Sequence, residues 1–473
     1  MVSFKPVDYI VIALFFVSVL SLGFYFGRKT TNEPADYLLS GRKVGLILFI
    51  LTTVSSWYGG ILGVGEFTYR YGLLSWFTQG IPYYIFAILF AIFLSKKVRN
   101  AALYTIPDKL NLVYGREVSL IASIFVFALV SPAPYLLMTA NLISLMFGTG
   151  TLISLILGLL LSVSYLINGG FKANIYADTI QFFVMFAGFA IALFFSYHNY
   201  GGINYLKNSL PANHLTITGG ASPTYIIVWY LIALWTFADP GFHQRSYAAK
   251  SGNIAMYGIL ISVLFFALFD FLTTSTGLYA RAILPNLAKP TLSYPLLAEK
   301  VLAPGWKGIF YAAMFATIMS TLNSFYFLSG TTIGRDFIFK LSKIKNEYNL
   351  KRYTIYGLII SGILSIILAY FIPSVIEIWY LIGSICIPAM ILPVISSYYP
   401  GFKINSKLII LEMILAASSS LSWIFIRPYF ADYKILNEIE PMLVGLAVAA
   451  LIHFMSIIWN KFSASYIVKQ ELR

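Results

Sequence analysis

The chain has 473 residues, of which 59% are hydrophobic, 17% aromatic and only 11% charged, with a mean hydropathy of +0.80. Such a composition excludes a water-soluble globular domain and points to an integral membrane protein. The net charge of +14 is read through its position along the chain, and no interleaving of basic and aromatic residues points to nucleic acid.

Thirteen apolar stretches are long enough to cross a bilayer of roughly 30 Å. They run approximately over 8–27, 44–71, 75–97, 117–147, 150–168, 174–197, 223–247, 253–282, 308–332, 353–372, 374–397, 407–427 and 441–461. The first, YIVIALFFVSVLSLGFYFG, is long and lacks a small-residue cleavage site, so it reads as a retained helix rather than a signal peptide. Lys and Arg gather at Arg28, Lys29, Arg42 and Lys43, at Lys96, Lys97 and Arg99, from Arg335 to Arg352 and from Lys461 to Arg473. The intervening loops hold few, mainly Arg281, Lys289, Lys300 and Lys307. By the positive-inside rule this asymmetry sets the N-terminus outside and the C-terminus inside. No span, on this reading, contains a Lys or Arg away from its ends, and the acidic loop-to-span pattern is the more informative one. Glu66, Asp178, Asp239, Asp270, Glu377 and Glu412 fall in or at the edges of spans without evident basic partners, which is a common mark of a cation path. Glu377 and Glu412 read as end-capping or protonated carboxylates. The segment 283–307 is semi-apolar and punctuated by proline, which predicts short helices over the outside face. Gly334 to Arg352 reads as a solvated connector. One cysteine, Cys386, and four scattered histidines exclude an internal disulfide and make a transition-metal site a poor fit.

Three segments break the hydrophobic rule. In TVSSWYGGILGVGE, 53–66, Gly59, Gly60, Gly63 and Gly65 weaken a helix, so the second span reads as locally unwound, or else as a tight helix-packing face. Unwound backbone inside a membrane is tolerated only where it lines a cavity or is buried in protein. In FATIMSTLNS, 315–324, Thr317, Ser320 and Thr321 cluster oxygens suited to a hard cation, although Ser and Thr in such helices also bond the carbonyl one turn back. In ALWTFADPGFHQR, 233–245, Asp followed by Pro is a helix-start signal inside a span. It predicts either a second broken helix or a proline kink, with His243 and Arg245 as anchors near the inside surface. Two interrupted spans five apart lie in opposite orientation, the pattern of inverted five-helix repeats with a midplane site between them.

The motifs ADYLLSGRKVG (35–45), SSWYGGILGVGE (55–66), GGFKANIYADTIQ (169–181), FHQRSYAAKS (242–251) and MSTLNS (319–324), in this order and spacing, resemble the sodium:solute symporter family, which includes sodium-coupled proline, pantothenate, glucose and choline transporters. The resemblance covers nearly the whole chain. It implies an all-α polytopic fold of about 13 transmembrane helices, a leucine-transporter-like inverted 5+5 repeat in a single transporter domain, 1–473. A leading helix and loop, 8–43, would precede repeats at 44–197 and 223–397, with trailing helices in 407–473. It also implies a Na+ site formed by the carbonyls of Thr53, Ser56 and Thr317 and the hydroxyls of Ser320 and Thr321, with Asp178 on the ion path. In the proline branch an aspartate aligns with Ser55, so its charge is missing here, and the surroundings of Trp57 look closer to the choline branch.

The reading is a multi-pass symporter of the cytoplasmic membrane, coupling sodium to a small organic solute by alternating access. Proline or another small amino acid comes first as solute, with choline-like cations and carboxylates behind it. Trp57, Tyr58 and Gly59 at the first break and Trp235 and Phe237 at the second are the candidate solute contacts, their rings suited to a proline-like ring or a cation. Proton coupling through Asp178 or Glu66 is the alternative, and a non-transporting sensor a weaker one. Neither HExxH nor GxSxG occurs, so no enzyme is expected. The partners are solute, sodium and lipid bilayer, with no nucleic acid and no oligomeric state assigned.

Overall fold

The computed structural model describes residues 2–342, 349–372, 374–430 and 432–471, so 343–348 of the predicted connector and the last two residues of the basic C-terminus lie outside the described residues. Among the described residues there is no strand, only an isolated bridge between Val44 and Ala249. Hydrocarbon requires every backbone group to be satisfied within its own segment, which is why the apolar runs become helices. Among the described residues, eleven helices are long and apolar enough to cross a membrane. The sequence reading of thirteen differs in two places. It divides the helix Thr151–Tyr200, which turns sharply at Gly170 (φ 53°, ψ −144°), and it counts as one broken span the short pair Leu46–Ser55 and Ile61–Tyr71.

The bundle is built around the ninth span, Trp306–Thr331. In its most apolar stretch 89% of residues are buried, against 28% for the first helix and 22% for the last. The first and last therefore face lipid while the ninth is core. Its small residues let neighbours approach closely: a methyl added at Gly188 of the long helix would lie 2.3 Å from Ala313 Cβ.

Both predicted interruptions are present. The second span stops at Ser55 and resumes at Ile61. The seventh runs as Pro223–Ile232, tightens into a 3-10 turn over Ala233–Ala238, extends at Asp239 and restarts as Pro240–Ala248. The segment 283–307 holds the expected short helices, Pro290–Leu292 and Ser293–Val301.

At one end of the bundle, polar contacts join the connectors predicted to lie inside. Arg335 pairs with Asp108 at 2.8 Å, Lys340 reaches Asp336 at 3.2 Å and Asp108 at 3.4 Å, and Thr105 Oγ1 donates to Asp336 at 2.9 Å. Arg42 donates to the carbonyls of Ala102, Leu103 and Tyr247. The start of the Gly334–Arg352 segment is thus not a solvated connector. It continues the ninth span through Thr332–Phe339, with Asp336 fully buried, because Asp108 of the helix Ile106–Tyr114 pairs with Arg335 and Lys340, and Lys340 in turn with Asp336.

Candidate ion and solute site

The first break leaves carbonyls with nothing of their own to bond. Ser56 N–H turns to Thr52 O (3.3 Å) and Trp57 N–H to Val54 O (3.2 Å), so the helix closes early. Among the described residues no backbone N–H reaches the carbonyls of Thr53, Ser55 or Ser56. The ninth span supplies the missing donors. Ser320 Oγ donates to Ser55 O at 2.6 Å and lies 3.1 Å from Thr317 O, and Thr321 Oγ1 donates to Ser56 O at 2.8 Å. Four of the five predicted ion-site residues, Ser56, Thr317, Ser320 and Thr321, therefore converge on one point between the two spans. Ser55 joins them through a carbonyl that the sequence reading left out. Thr53 stands at the same helix end, and its Oγ1 is buried with no hydrogen-bond partner. Oxygens without charge, partly main-chain and partly hydroxyl, are the donor set that suits an alkali cation.

Gly59 belongs to this contact and not to the solute cavity. A methyl there would lie 2.3 Å from Thr321 Cβ, so the glycine is what allows the break to press against the ninth span.

Beneath the break lies a buried polar cluster. Thr52 Oγ1 donates a very short hydrogen bond to Asp178 Oδ2, and the Arg245 guanidinium stands 3.8 Å from the same oxygen. Arg245 also donates to Ser324 Oγ at 3.0 Å and Thr52 Oγ1 at 3.3 Å. Arg245 is 4% exposed and His243 1%. Neither is a surface anchor, which corrects the sequence reading. Asp178 likewise has the basic partner that was not evident, and so does Glu66, paired with Arg70 at 2.9 Å. Glu377 occupies the first turn of its helix, whereas Glu412 is fully buried against His453 at 2.7 Å. Arg70 lies one turn after Glu66, a pairing that chain order shows, whereas Arg245 and His453 lie on other spans, where chain order shows nothing.

A cavity of about 820 Å³ opens above this candidate ion site. Trp57, Tyr58 and Trp235 border it; Gly59 and Phe237 do not. Phe237 instead offers its carbonyl to His243 Nε2 at 3.0 Å and its ring edge to Phe86, because the 3-10 turn rotates it off the cavity side. The sequence reading missed most of the aromatic lining, Tyr83, Trp76 and Trp379 among it. Trp379 sits against the break, with a methyl at Gly60 falling 2.4 Å from its ring, yet nothing in its own neighbourhood of the sequence marks it. Asp239 caps the restarted helix through Phe242 N (2.7 Å) and holds Trp235 Nε1 at 3.0 Å. The cavity reaches Ser222, Thr224 and Glu438, all exposed, at the end opposite the Asp108–Arg335 contacts.

The model of the sodium:solute symporter family matches residues 37–400. The sodium/pantothenate symporter of Escherichia coli (strain K12) is 28% identical over 392 residues, covering 77% of this chain and 79% of its own. The high-affinity choline transporter 1 of Caenorhabditis elegans is 24% identical over 413 residues, covering 79% and 70%. A solved structure of a Na+-coupled sialic acid symporter, in a substrate-bound outward-open state, superposes with a TM-score of 0.81 at 16% identity over 97% of this chain and 98% of that one. That likeness shows the fold, the leucine-transporter-like helical arrangement that the sequence predicts. The chain belongs to the sodium:solute symporter family, a multi-pass membrane transporter that couples sodium to a small solute.

Proposed function

We propose that the sodium ion is held by the carbonyls of Thr53, Ser56 and Thr317 and the hydroxyls of Ser320 and Thr321, and that the solute is proline or another small amino acid. The observation that carries the ion reading is the convergence of the Ser320 and Thr321 hydroxyls on carbonyls freed by the first break. Each hydroxyl now donates a hydrogen bond to a carbonyl, Ser320 to Ser55 and Thr321 to Ser56. An arriving cation takes both sets of lone pairs instead, which needs the hydroxyl hydrogens to rotate away and the oxygen pairs, now 2.6 and 2.8 Å apart, to separate. The break is then tied to the ninth span by the ion, in the form that presents Trp57 and Tyr58 to the solute. Sodium and solute thereby stabilise each other as a linked equilibrium.

The two repeats, 44–197 and 223–397, rock against each other, with the N-terminus outside and the C-terminus inside the cytoplasmic membrane. In that orientation the cavity faces outward, and the contacts of Asp108 with Arg335 and Lys340 close the inward side. They must part before the solute leaves. The membrane potential favours inward sodium movement by roughly 2.3 kcal/mol per charge per 100 mV. Proton coupling through Asp178 or Glu66 is the weaker reading, since each already faces a guanidinium. A choline-like solute remains the second reading, favoured by the Trp57, Tyr83 and Trp235 rings around the cavity.

The test is uptake of labelled solutes into proteoliposomes under an imposed sodium or proton gradient, comparing wild type with Ser320→Ala plus Thr321→Ala. Sodium-driven accumulation that the double substitution abolishes is the expected result. Accumulation driven only by protons and indifferent to the substitution overturns the assignment.

A further inference from the structure

The charges that border the cavity do not balance. Its carboxylates are Asp239, Asp270, Glu438 and Glu440, and its guanidiniums Arg245 and Arg427. Arg427 is taken by Glu440 through two hydrogen bonds, 3.0 and 3.1 Å. Arg245 faces downward to Asp178, Thr52 and Ser324. Asp239 is occupied by the helix N-terminus it caps and by Trp235, and Glu438 is exposed at the rim. Asp270 is left. It is 9% exposed, and among the described residues no Lys, Arg or His lies within ion-pair distance of it. Its hydrogen-bond donors are neutral phenols, the Tyr84 hydroxyl in a very short contact and the Tyr58 hydroxyl beside it, and the Tyr84 hydroxyl is itself held by Trp76 Nε1 at 3.2 Å.

The surroundings keep this carboxylate available. A methyl at Gly80, which borders the cavity, would lie 2.9 Å from Asp270 Oδ2, so any larger residue there would cover it. One turn before Asp270, the Phe266 ring stacks on Trp57 (centroids 5.3 Å apart, 24° between planes) and its carbonyl accepts from Tyr58 OH at 2.7 Å. Asp270 is thus anchored to the first break through the rings proposed to meet the solute. The Thr53 hydroxyl, 4% exposed and without a hydrogen-bond partner among the described residues, borders the same cavity.

Resting on the symport reading, we infer that the transported solute carries a positively charged nitrogen and that Asp270 is its counter-charge. A buried carboxylate without a basic partner is costly in a low-dielectric site. An ammonium group restores neutrality, and the aromatic faces beside it add cation-π attraction. A neutral solute leaves Asp270 uncompensated, and an anionic one places a like charge against it, so the same group that favours amines discriminates against the others.

The test is binding to the purified full-length protein in nanodiscs, in sodium chloride and in potassium chloride, with probes matched in shape and different in charge. Choline is compared with 3,3-dimethyl-1-butanol, its carbon isostere, and L-proline with cyclopentanecarboxylate; D-galactose and pantothenate complete the set. Sodium-dependent binding of choline or proline, with each nitrogen-free isostere at least about tenfold weaker, equivalent to about 1.4 kcal/mol, is expected. Asp270→Asn should weaken the amine by a similar factor while the rise in melting temperature produced by sodium alone persists. Sodium-dependent binding confined to the isosteres, galactose or pantothenate overturns the amine class but leaves the symport reading standing, and so does failure of both amines to bind in sodium. Unchanged amine affinity in Asp270→Asn removes Asp270 as the counter-charge. Loss of the sodium response along with the amine moves the carboxylate to the ion and overturns the inference. If Asp270→Asn does not fold, the isostere comparison in the wild-type protein decides the class, and Asp270→Glu, which keeps the charge, decides the residue. Absence of any sodium effect on the wild-type protein, with or without solute, is instead a failure of the symport reading.

Discussion

The two broken spans solve the same problem in opposite ways. Each exposes backbone groups at mid-bundle that must find partners in the absence of water. The seventh span satisfies itself: the Asp239 side chain accepts the Phe242 N–H and the Trp235 indole, and Pro240 has no N–H to satisfy. The second span has no such cap. Its free carbonyls depend on Ser320 and Thr321, some 265 residues away in sequence. A self-capped break is closed to an ion, whereas one bonded only through hydroxyls of another helix can exchange those bonds for a cation. The functional asymmetry of the site therefore lies in which break outsources its hydrogen bonds.

If this is right, the second span should be sensitive to substitutions on distant elements, and the seventh mainly to its own. The largest effect is expected at Arg245, which bridges the two by holding Asp178 and Thr52 beneath the first break. Arg245→Ala leaves a buried carboxylate uncompensated, a loss of about 3–5 kcal/mol, visible as a lowered melting temperature in detergent; Arg245→Lys should recover part of it. A neutral Arg245→Ala would show that the cluster does not support the break. Next comes the contact itself. Gly59→Ala drives a methyl into Thr321 and should destabilise by about 1–3 kcal/mol, with reduced apparent sodium affinity in the same protein. Thr321→Val keeps the shape but orphans the Ser56 carbonyl, at about 1–3 kcal/mol, and sodium-titrated uptake should shift to higher concentration. Equal sodium titrations for Thr321→Val and wild type would put the ion elsewhere. The smallest effects belong to the self-capped break: Asp239→Ala should cost about 1 kcal/mol, and Asp239→Asn only a fraction of that, because Asn caps nearly as well. A loss at Asp239→Asn as large as at Arg245→Ala would mean that its charge, and not its cap, is what matters.

Much of the fold was legible because hydrocarbon is an unforgiving solvent. Long apolar runs must become helices, and departures from the rule stand out against that uniform background. The glycines around Trp57 and the Asp239–Pro240 pair marked both breaks, and the hydroxyls at 320 and 321 marked the contact between the first break and the ninth span. What was not legible involved partners from separate spans. Arg245 lies 67 positions after Asp178, and read along the chain it looked like a span-end anchor; only packing shows it at the bundle's interior. Trp379 was one more tryptophan in an aromatic-rich chain until the eleventh span was seen to lay it over Gly60. Phe237 failed for a local reason, since a 3-10 turn rotates side chains by 120° per residue rather than 100° and so changes which of Ala233–Ala238 face the cavity.

The sequence by itself determined that this chain lives in a membrane, where it crosses, and where it cannot remain helical, because each of those follows from short-range chemistry between a residue and its solvent. Only the tertiary structure decided which oxygens meet between the first break and the ninth span, which carboxylate already has a basic partner and which does not. Charge compensation and coordination are properties of groups brought together from different helices, and distance along the chain carries no measure of that proximity.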